Sequence, residues 1–356
     1  MQVGEKFMKR VFGLDLIRAI AIFFVLSVHF FLNNGFYNYN IHGKGMFVSI
    51  FLRWIFYLGV PLFLLLTGYL KRKKTLNKKY YKSIVPILVS YLFISILCGL
   101  FRVFYLKEDI SKLELLLGIF NFKTCKYAWY VEMYIGLFLL IPFLNVMYNS
   151  LKSKKHKQYL IWTLLALVSF SPIVSSFTVR NMKLDIIPNW WNQIYPLVYY
   201  FIGCYINEYQ VKINKKRGIF YFFVIIILEA IATYGFCYNT KFDWNLMGGY
   251  NSIQTVMAAT LLFLILYNVK TPGKVVEKMA MSVSTVSFDM YLFSYITDSI
   301  LYKYFDSYFK TPVFYLKHYF LVIALSFLSA YILSYMKKIL FSVCSSISSK
   351  CKKVRE

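Results

Sequence analysis

The chain has 356 residues, 59% of them hydrophobic and 21% aromatic, with a formal net charge of +26 and a mean hydropathy of +0.55. Apolar runs of about 20 residues, the length that crosses ~30 Å of hydrocarbon, recur along the whole sequence. They exclude a water-soluble globular protein and predict an all-α, polytopic transmembrane helix bundle.

Ten spans are predicted, at 15–34, 47–70, 84–106, 125–148, 159–178, 191–208, 218–236, 251–269, 280–302 and 316–336. With these boundaries, 27 of the 41 Lys and Arg residues fall on the side of the N-terminus and 11 on the other, leaving Arg18, Arg53 and Arg102 within spans. The positive-inside rule then places both termini in the cytoplasm. The charge is a topological signal and a contact with anionic headgroups, so membrane lipids are the expected partners and nucleic acid is not. No segment outside the spans is long enough for a core of its own. Residues 1–340 are read as one membrane domain and 341–356 as a basic cytoplasmic tail.

In the first span, "RAIAIFFVLSVHF" (18–30) places a cation and an imidazole in an otherwise apolar run. Eleven residues turn a helix through about three full turns, so Arg18 and His29 share one face, ~16 Å apart along the axis. Asp15, three residues before Arg18, is close enough to pair with it. Arg18 also suits a boundary arginine that snorkels to the interface, and His29 a neutral histidine bonded between helices. Ionisable groups at membrane depth otherwise line a bundle interior or a wet cavity, and a histidine exchanges protons near neutral pH.

The second span carries Arg53 and ends in "KRKK" (71–74), followed by "NKKYYK" (77–82). "KEDISKLELLLGIFNFK" (107–123) has helical apolar spacing and predicts a short surface helix. Counting 1.5 Å per residue from the span edges puts His29, Arg53 and Glu132 of the fourth span in one layer, and Asp289 and Glu229 nearer the midplane. Arg53 and Glu132 also suit a structural ion pair. Trp129 and Tyr130 adjoin Glu132 as candidate substrate contacts. The Trp190–Trp191 pair reads as an interfacial anchor or a sugar-stacking platform. The six cysteines show no paired spacing and no two histidines have metal-ligand spacing, so no metal is expected.

"GLDLIRAIAIFFVLSVHF" (13–30) resembles the opening signature of the acyltransferase-3 family of multi-pass membrane acyltransferases, including its arginine, ten residues, histidine spacing. "GVPLFLLLTGYL" (59–70), with Thr67, Gly68 and Tyr69 in place of a serine-glycine-aromatic triplet, is similar to its second-span segment. "YAWYVEMYIGLFLLIPFLN" (127–145) is similar to the fourth-span region of the Gram-positive branch that modifies surface polysaccharides, and "VSFDMYLFSYITD" (286–298) to the late segment before the last span. The resemblance implies a multi-pass enzyme of the bacterial cytoplasmic membrane. It would move an acyl group, commonly acetyl, from acetyl-CoA to a hydroxyl of a cell-surface polysaccharide or its lipid-linked precursor.

Carried over residue by residue, His29 becomes the base or acyl carrier, with Glu132 as a candidate carboxylate partner. Arg18, with Asp15, becomes the donor-binding group. Lys79 and Lys82 stand at the spacing of the family's R-x-x-R motif, with Arg72 as a further candidate for the donor phosphates. Arg53, Trp129 and Tyr130 become candidate acceptor contacts. The position of a late histidine in many relatives is Ser294, to which no catalytic role is given. A transporter or flippase for a small solute or lipid-linked sugar is the alternative, since it too places charges within spans.

Overall fold

The structure, a computed structural model, describes residues 11–170, 178–179, 182–183, 188–244 and 249–353. The end of the predicted fifth span, the start of the "DIIPNWWNQIYP" stretch and residues 354–356 of the basic tail lie outside these. The helices are α1 (Phe12–Asn33), α2 (Gly43–Tyr57), α3 (Gly59–Lys71), α4 (Lys78–Lys82), α5 (Val85–Phe104), α6 (Lys112–Phe120), α7 (Trp129–Ser150), α8 (Lys154–Leu165), α9 (Tyr195–Tyr209), α10 (Lys215–Phe236), α11 (Ile253–Leu266), α12 (Lys274–Phe305), α13 (Pro312–Lys317) and α14 (Tyr319–Lys353). Among the described residues the extended structure is limited to a two-residue antiparallel pairing of Thr178–Val179 with Met182–Lys183 and a single bridge between Ile41 and Tyr238.

Six helical stretches are long and apolar enough to cross a membrane: Phe12–Asn33, Gly43–Lys71, Lys78–Phe104, Trp129–Ser150, Lys215–Phe236 and Tyr319–Ser345. The other predicted spans fall on helices that differ for two reasons. α8, α9 and α11 have 12, 15 and 14 residues, short of the ~20 that a free-standing span needs. α12 has 32 residues, ample length, but its buried face carries Ser284, Ser287, Ser294, Thr297 and Asp298. That polar face identifies α12 as an interior helix.

α1 is the axis of the bundle, packed chiefly against α12 and α3, and also against α2 and α14. The second predicted span is broken at Leu58. Pro61 has no N–H to give the carbonyl of Tyr57, so the helix hitches there, and Gly59 rests against the Ala21 carbonyl and Val25 of α1. α3 and α9 approach through reciprocal glycines: a Cβ on Gly68 would strike the Tyr200 carbonyl, and one on Gly203 the Leu65 carbonyl. Small residues permit such backbone contact between membrane helices, where packing and hydrogen bonds replace the hydrophobic drive. This explains the glycine of the Thr67–Gly68–Tyr69 triplet.

The C-terminal carbonyls of α3, which have no partners within the helix, are met by α7. Asn145 donates to the carbonyls of Lys71 (2.9 Å) and Lys74 (2.7 Å), and its own oxygen accepts from the Tyr200 hydroxyl at 2.6 Å. α6 carries a Ser111–Glu114 capping box and leaves Leu113, Leu116, Leu117 and Phe120 exposed, as expected of a helix lying on a surface.

Candidate active site

α1 places its two polar residues in two cavities. The first, of about 340 Å³, is lined by Arg18 together with Lys71 and Thr67 of α3, Tyr130 and Tyr134 of α7 and Asp289 of α12. The second, of about 230 Å³, is lined by His29 and a set of aromatic side chains. Val25, Val60 and Tyr291 line both and stand between them. Arg18, Val25 and His29 are related by steps of seven and four residues, so one face of α1 runs from the cation past Val25 to the imidazole.

At the Arg18 end, Ser284 of α12 joins two side chains of α1. Its hydroxyl donates to Asp15 (2.6 Å) and accepts from Arg18 Nη1 (3.0 Å). Asp15 is buried and Arg18 half-buried. Lys71 brings a second cation to this cavity from the end of α3, its Nζ 5.3 Å from the Phe138 ring. Asp289 is paired with Lys337 of α14, whose Nζ lies 2.8 and 2.9 Å from its two oxygens and also meets Ser90 of α5. The carboxylate in the wall is thereby matched by a lysine outside it.

At the other end His29 is buried and faces Asp298 of α12, with Nδ1 3.7 Å from Oδ2. That is just beyond a hydrogen bond, and catalytic contacts of this kind tighten when substrate closes the site. Asp298 is held in place by Ser326, which donates to Oδ1 at 2.5 Å, and by Tyr127, whose hydroxyl donates to Oδ2 at 3.4 Å. The Tyr127 ring packs against the imidazole, tilted by 37° with ring centroids 3.9 Å apart, and Asn33 donates to the Tyr127 hydroxyl at 2.8 Å. With Nδ1 turned to the carboxylate, Nε2 is left for a substrate. The arrangement has the parts of a histidine base steadied by an acid.

The sequence comparisons bear on this geometry directly. Residues 11–335 match the family model of the acyltransferase domain, acyltransferase-3. The chain belongs to the acyltransferase-3 family. No curated protein and no solved structure matches the chain. Membership covers both cavities, every helix from α1 to α13 and the N-terminal part of α14, so the family assignment and the site rest on the same residues.

Other residues singled out from the sequence are distributed between the two cavities and beyond them. Trp129 lines the His29 cavity and Tyr130 the Arg18 cavity. Glu132, two residues on and ~200° further round α7, stands exposed outside the His29 cluster. The carboxylate that faces His29 is Asp298. Arg53 is wholly buried one layer behind the cavity wall. Arg72 turns away from Arg18 and pairs with Glu208 of α9 at 2.8 Å, a carboxylate it shares with Lys157 of α8. Lys79 and Lys82 are exposed on α4, which is capped by the Asn77 side chain. Trp190 and Trp191 stack on each other, ring centroids 5.3 Å apart, outside both cavities.

Lys71, Ser284 and Asp298 were not singled out by sequence reasoning. Asp298 closes the late motif "VSFDMYLFSYITD" and lies near the predicted end of its span, where a carboxylate reads as a boundary residue. The signal that could mark it is the polar stripe on which it falls: Ser287, Ser294 and Asp298 follow one another by seven and four residues, on one face of α12.

Proposed function

We propose that this membrane acyltransferase moves an acetyl group from acetyl-CoA to a hydroxyl of a cell-surface polysaccharide or its lipid-linked precursor, in a bacterial cytoplasmic membrane. The single observation that carries this reading is the pair of adjacent cavities that share Val25, Val60 and Tyr291, one lined by cations and the other by His29, which faces Asp298. The Arg18 cavity opens on the cytoplasmic side. Arg18 and Lys71 receive the phosphates of coenzyme A there through charge-assisted hydrogen bonds, with the lysines of the 71–82 segment raising the local positive potential. The pantetheine arm passes between Val25, Val60 and Tyr291 and presents its thioester to His29.

His29 Nε2 takes the proton of the acceptor hydroxyl as its oxygen attacks the thioester carbon. The C–O bond forms, the C–S bond breaks, and the thiolate recovers the proton to leave as coenzyme A. Asp298 holds the imidazole and stabilises its charged form between those two steps.

The test uses the purified protein in liposomes with radiolabelled acetyl-CoA, measuring coenzyme A release and acetyl ester formation separately, alongside O-acetyl analysis of surface polysaccharide from cells with and without the protein. The expected result is donor-dependent ester formation and a loss of O-acetyl groups in its absence. A protein that neither binds nor consumes acetyl-CoA, yet moves a solute or lipid-linked sugar across the bilayer, overturns the reading in favour of transport.

A further inference from the structure

The chemistry assigned to His29 leaves the aromatic walls of its cavity unused. Four of these rings come from three separate segments: Tyr37 after α1, Trp129 at the start of α7, and Trp244 and Tyr250 between α10 and α11. They are arranged as flat pairs. Tyr37 stacks on Trp244 with centroids 4.5 Å apart at 27°, and Trp129 on Tyr250 at 5.8 Å and 20°. Tyr250 in turn lies on Tyr57 at 4.3 Å and 7°. Trp129 and Trp244 are 40% and 46% exposed, so they stand at the mouth while His29 lies at the buried end.

Behind this wall is Arg53. Its Nε donates to the Tyr37 hydroxyl at 3.2 Å, while Nη1 and Nη2 have no hydrogen-bond partner among the described residues. Its guanidinium carbon is 4.4 Å from the Tyr57 ring and 5.0 Å from the Trp244 ring, with Trp54 and Phe242 completing the enclosure. A buried guanidinium without a full set of hydrogen bonds is costly. What it gains here is the faces of Tyr57 and Trp244, which stack in turn on Tyr250 and Tyr37 of the cavity wall, and that attraction holds the stacked pairs in place.

We propose that this box is the subsite for a single sugar ring of the acceptor, with Arg53 as a positioning residue behind it, an inference that rests on the acyl-transfer reading. A pyranose ring has C–H faces and a hydroxyl-bearing edge. Flat aromatic walls take the faces, and the edge then projects a hydroxyl toward Nε2 of His29. The volume, about 230 Å³, is below the ~300–1,000 Å³ typical of drug-sized ligands. It admits one ring, and the rest of a glycan leaves between the two tryptophans. An open-chain polyol offers no ring face and gains little from the same walls.

The experiment supplies the reconstituted protein and acetyl-CoA with methyl β-D-glucopyranoside, methyl β-D-galactopyranoside or the methyl glycoside of N-acetylglucosamine, and with ribitol as the open-chain probe. Coenzyme A release, ester formation and acetyl-CoA affinity are measured separately. The wild type is expected to acetylate at least one pyranoside in preference to ribitol. Trp244→Ala and Trp129→Ala should each raise the pyranoside KM about tenfold or more, leaving acetyl-CoA affinity within twofold, and Phe at either position should restore most of the loss. Arg53→Lys should raise the pyranoside KM with kcat nearly unchanged, a split that general loosening of the fold does not give. Unchanged KM in both tryptophan variants overturns the subsite. So does equal use of ribitol, or coenzyme A release with no ester on any pyranoside; each of these leaves donor chemistry standing. Absence of acetyl-CoA binding sinks the acyl-transfer reading itself and this inference with it.

Discussion

The two ends of α1 solve opposite problems. At the Arg18 end charge is gathered: a guanidinium and an ammonium face one cavity, and the carboxylates nearby are each answered, Asp15 by Ser284 and Asp289 by Lys337. At the His29 end an imidazole and a carboxylate are both buried, and the groups that steady them are hydroxyls and an amide rather than cations. A fixed positive charge beside His29 would oppose formation of an imidazolium, whereas a neutral donor set orients the pair without holding it in one protonation state. In the proposed reaction this difference divides recognition and chemistry between the two ends of one helix. The first needs lasting charge, the second a group whose charge comes and goes.

That contrast can be broken most severely at His29. His29→Ala and His29→Gln should each lower ester formation by ~10²–10⁴ while acetyl-CoA affinity is retained, as read by separate transfer and binding assays. Near-normal transfer in the glutamine variant would leave His29 a structural hydrogen-bonding residue. Asp298→Asn should cost less, about tenfold to a hundredfold, the worth of one hydrogen bond to a charged group. Its combination with His29→Ala should add almost nothing to the histidine variant alone.

At the opposite end the effect should move from rate to affinity. Arg18→Ala is expected to weaken acetyl-CoA binding by about tenfold to a hundredfold, and Lys71→Ala by less, with both losses shrinking in high salt. An Arg18→Ala protein that binds donor normally would make Arg18 a boundary residue. Smaller still is the tie on the loop before α6, where Glu108 meets Arg102 at 2.6 Å and Lys126 at 3.5 Å. Burial works against its charge but is outweighed by Arg102 and then Lys126, so its carboxyl is held below the usual range. A carboxyl lowered in the folded state contributes stability above its unfolded pKa and loses it as pH falls through the folded one. Hydrogen exchange in residues 105–111 should therefore quicken only under acidic conditions below the ordinary glutamate range.

What the sequence revealed and what it did not divide along the same physical line. Within one helix a period of 3.6 fixes direction, so the shared face of Arg18 and His29 was legible before any coordinates. Between helices it was not. Counting residues placed Arg53 and Glu132 at the depth of His29, but depth says nothing of azimuth. Arg53 lies behind the cavity wall, Glu132 stands exposed on α7, and the acid that meets His29 comes from α12. One step of ~100° also separates Lys71, which faces the Arg18 cavity, from Arg72, which is turned to Glu208. The shorter helices escaped length-based reading for a related reason. α9 is held to α3 by the Gly68–Gly203 contact, so neighbouring backbone supplies what a lone span must supply by length.

The boundary between the cavities has an electrical consequence. The three residues there, Val25, Val60 and Tyr291, carry no charge, and the cations that line a cavity lie on one side of them only. In the proposed reaction the phosphates stay at the Arg18 end, an uncharged thioester arm passes through, and an uncharged acetyl group leaves on the far side. One elementary charge carried across a membrane would couple to the potential by ~2.3 kcal/mol per 100 mV; here none is carried. Acetyl transfer in liposomes should therefore run at the same rate with the membrane polarised in either direction. The cell would export the modification at the cost of a thioester alone, drawing nothing from the potential that drives its transporters.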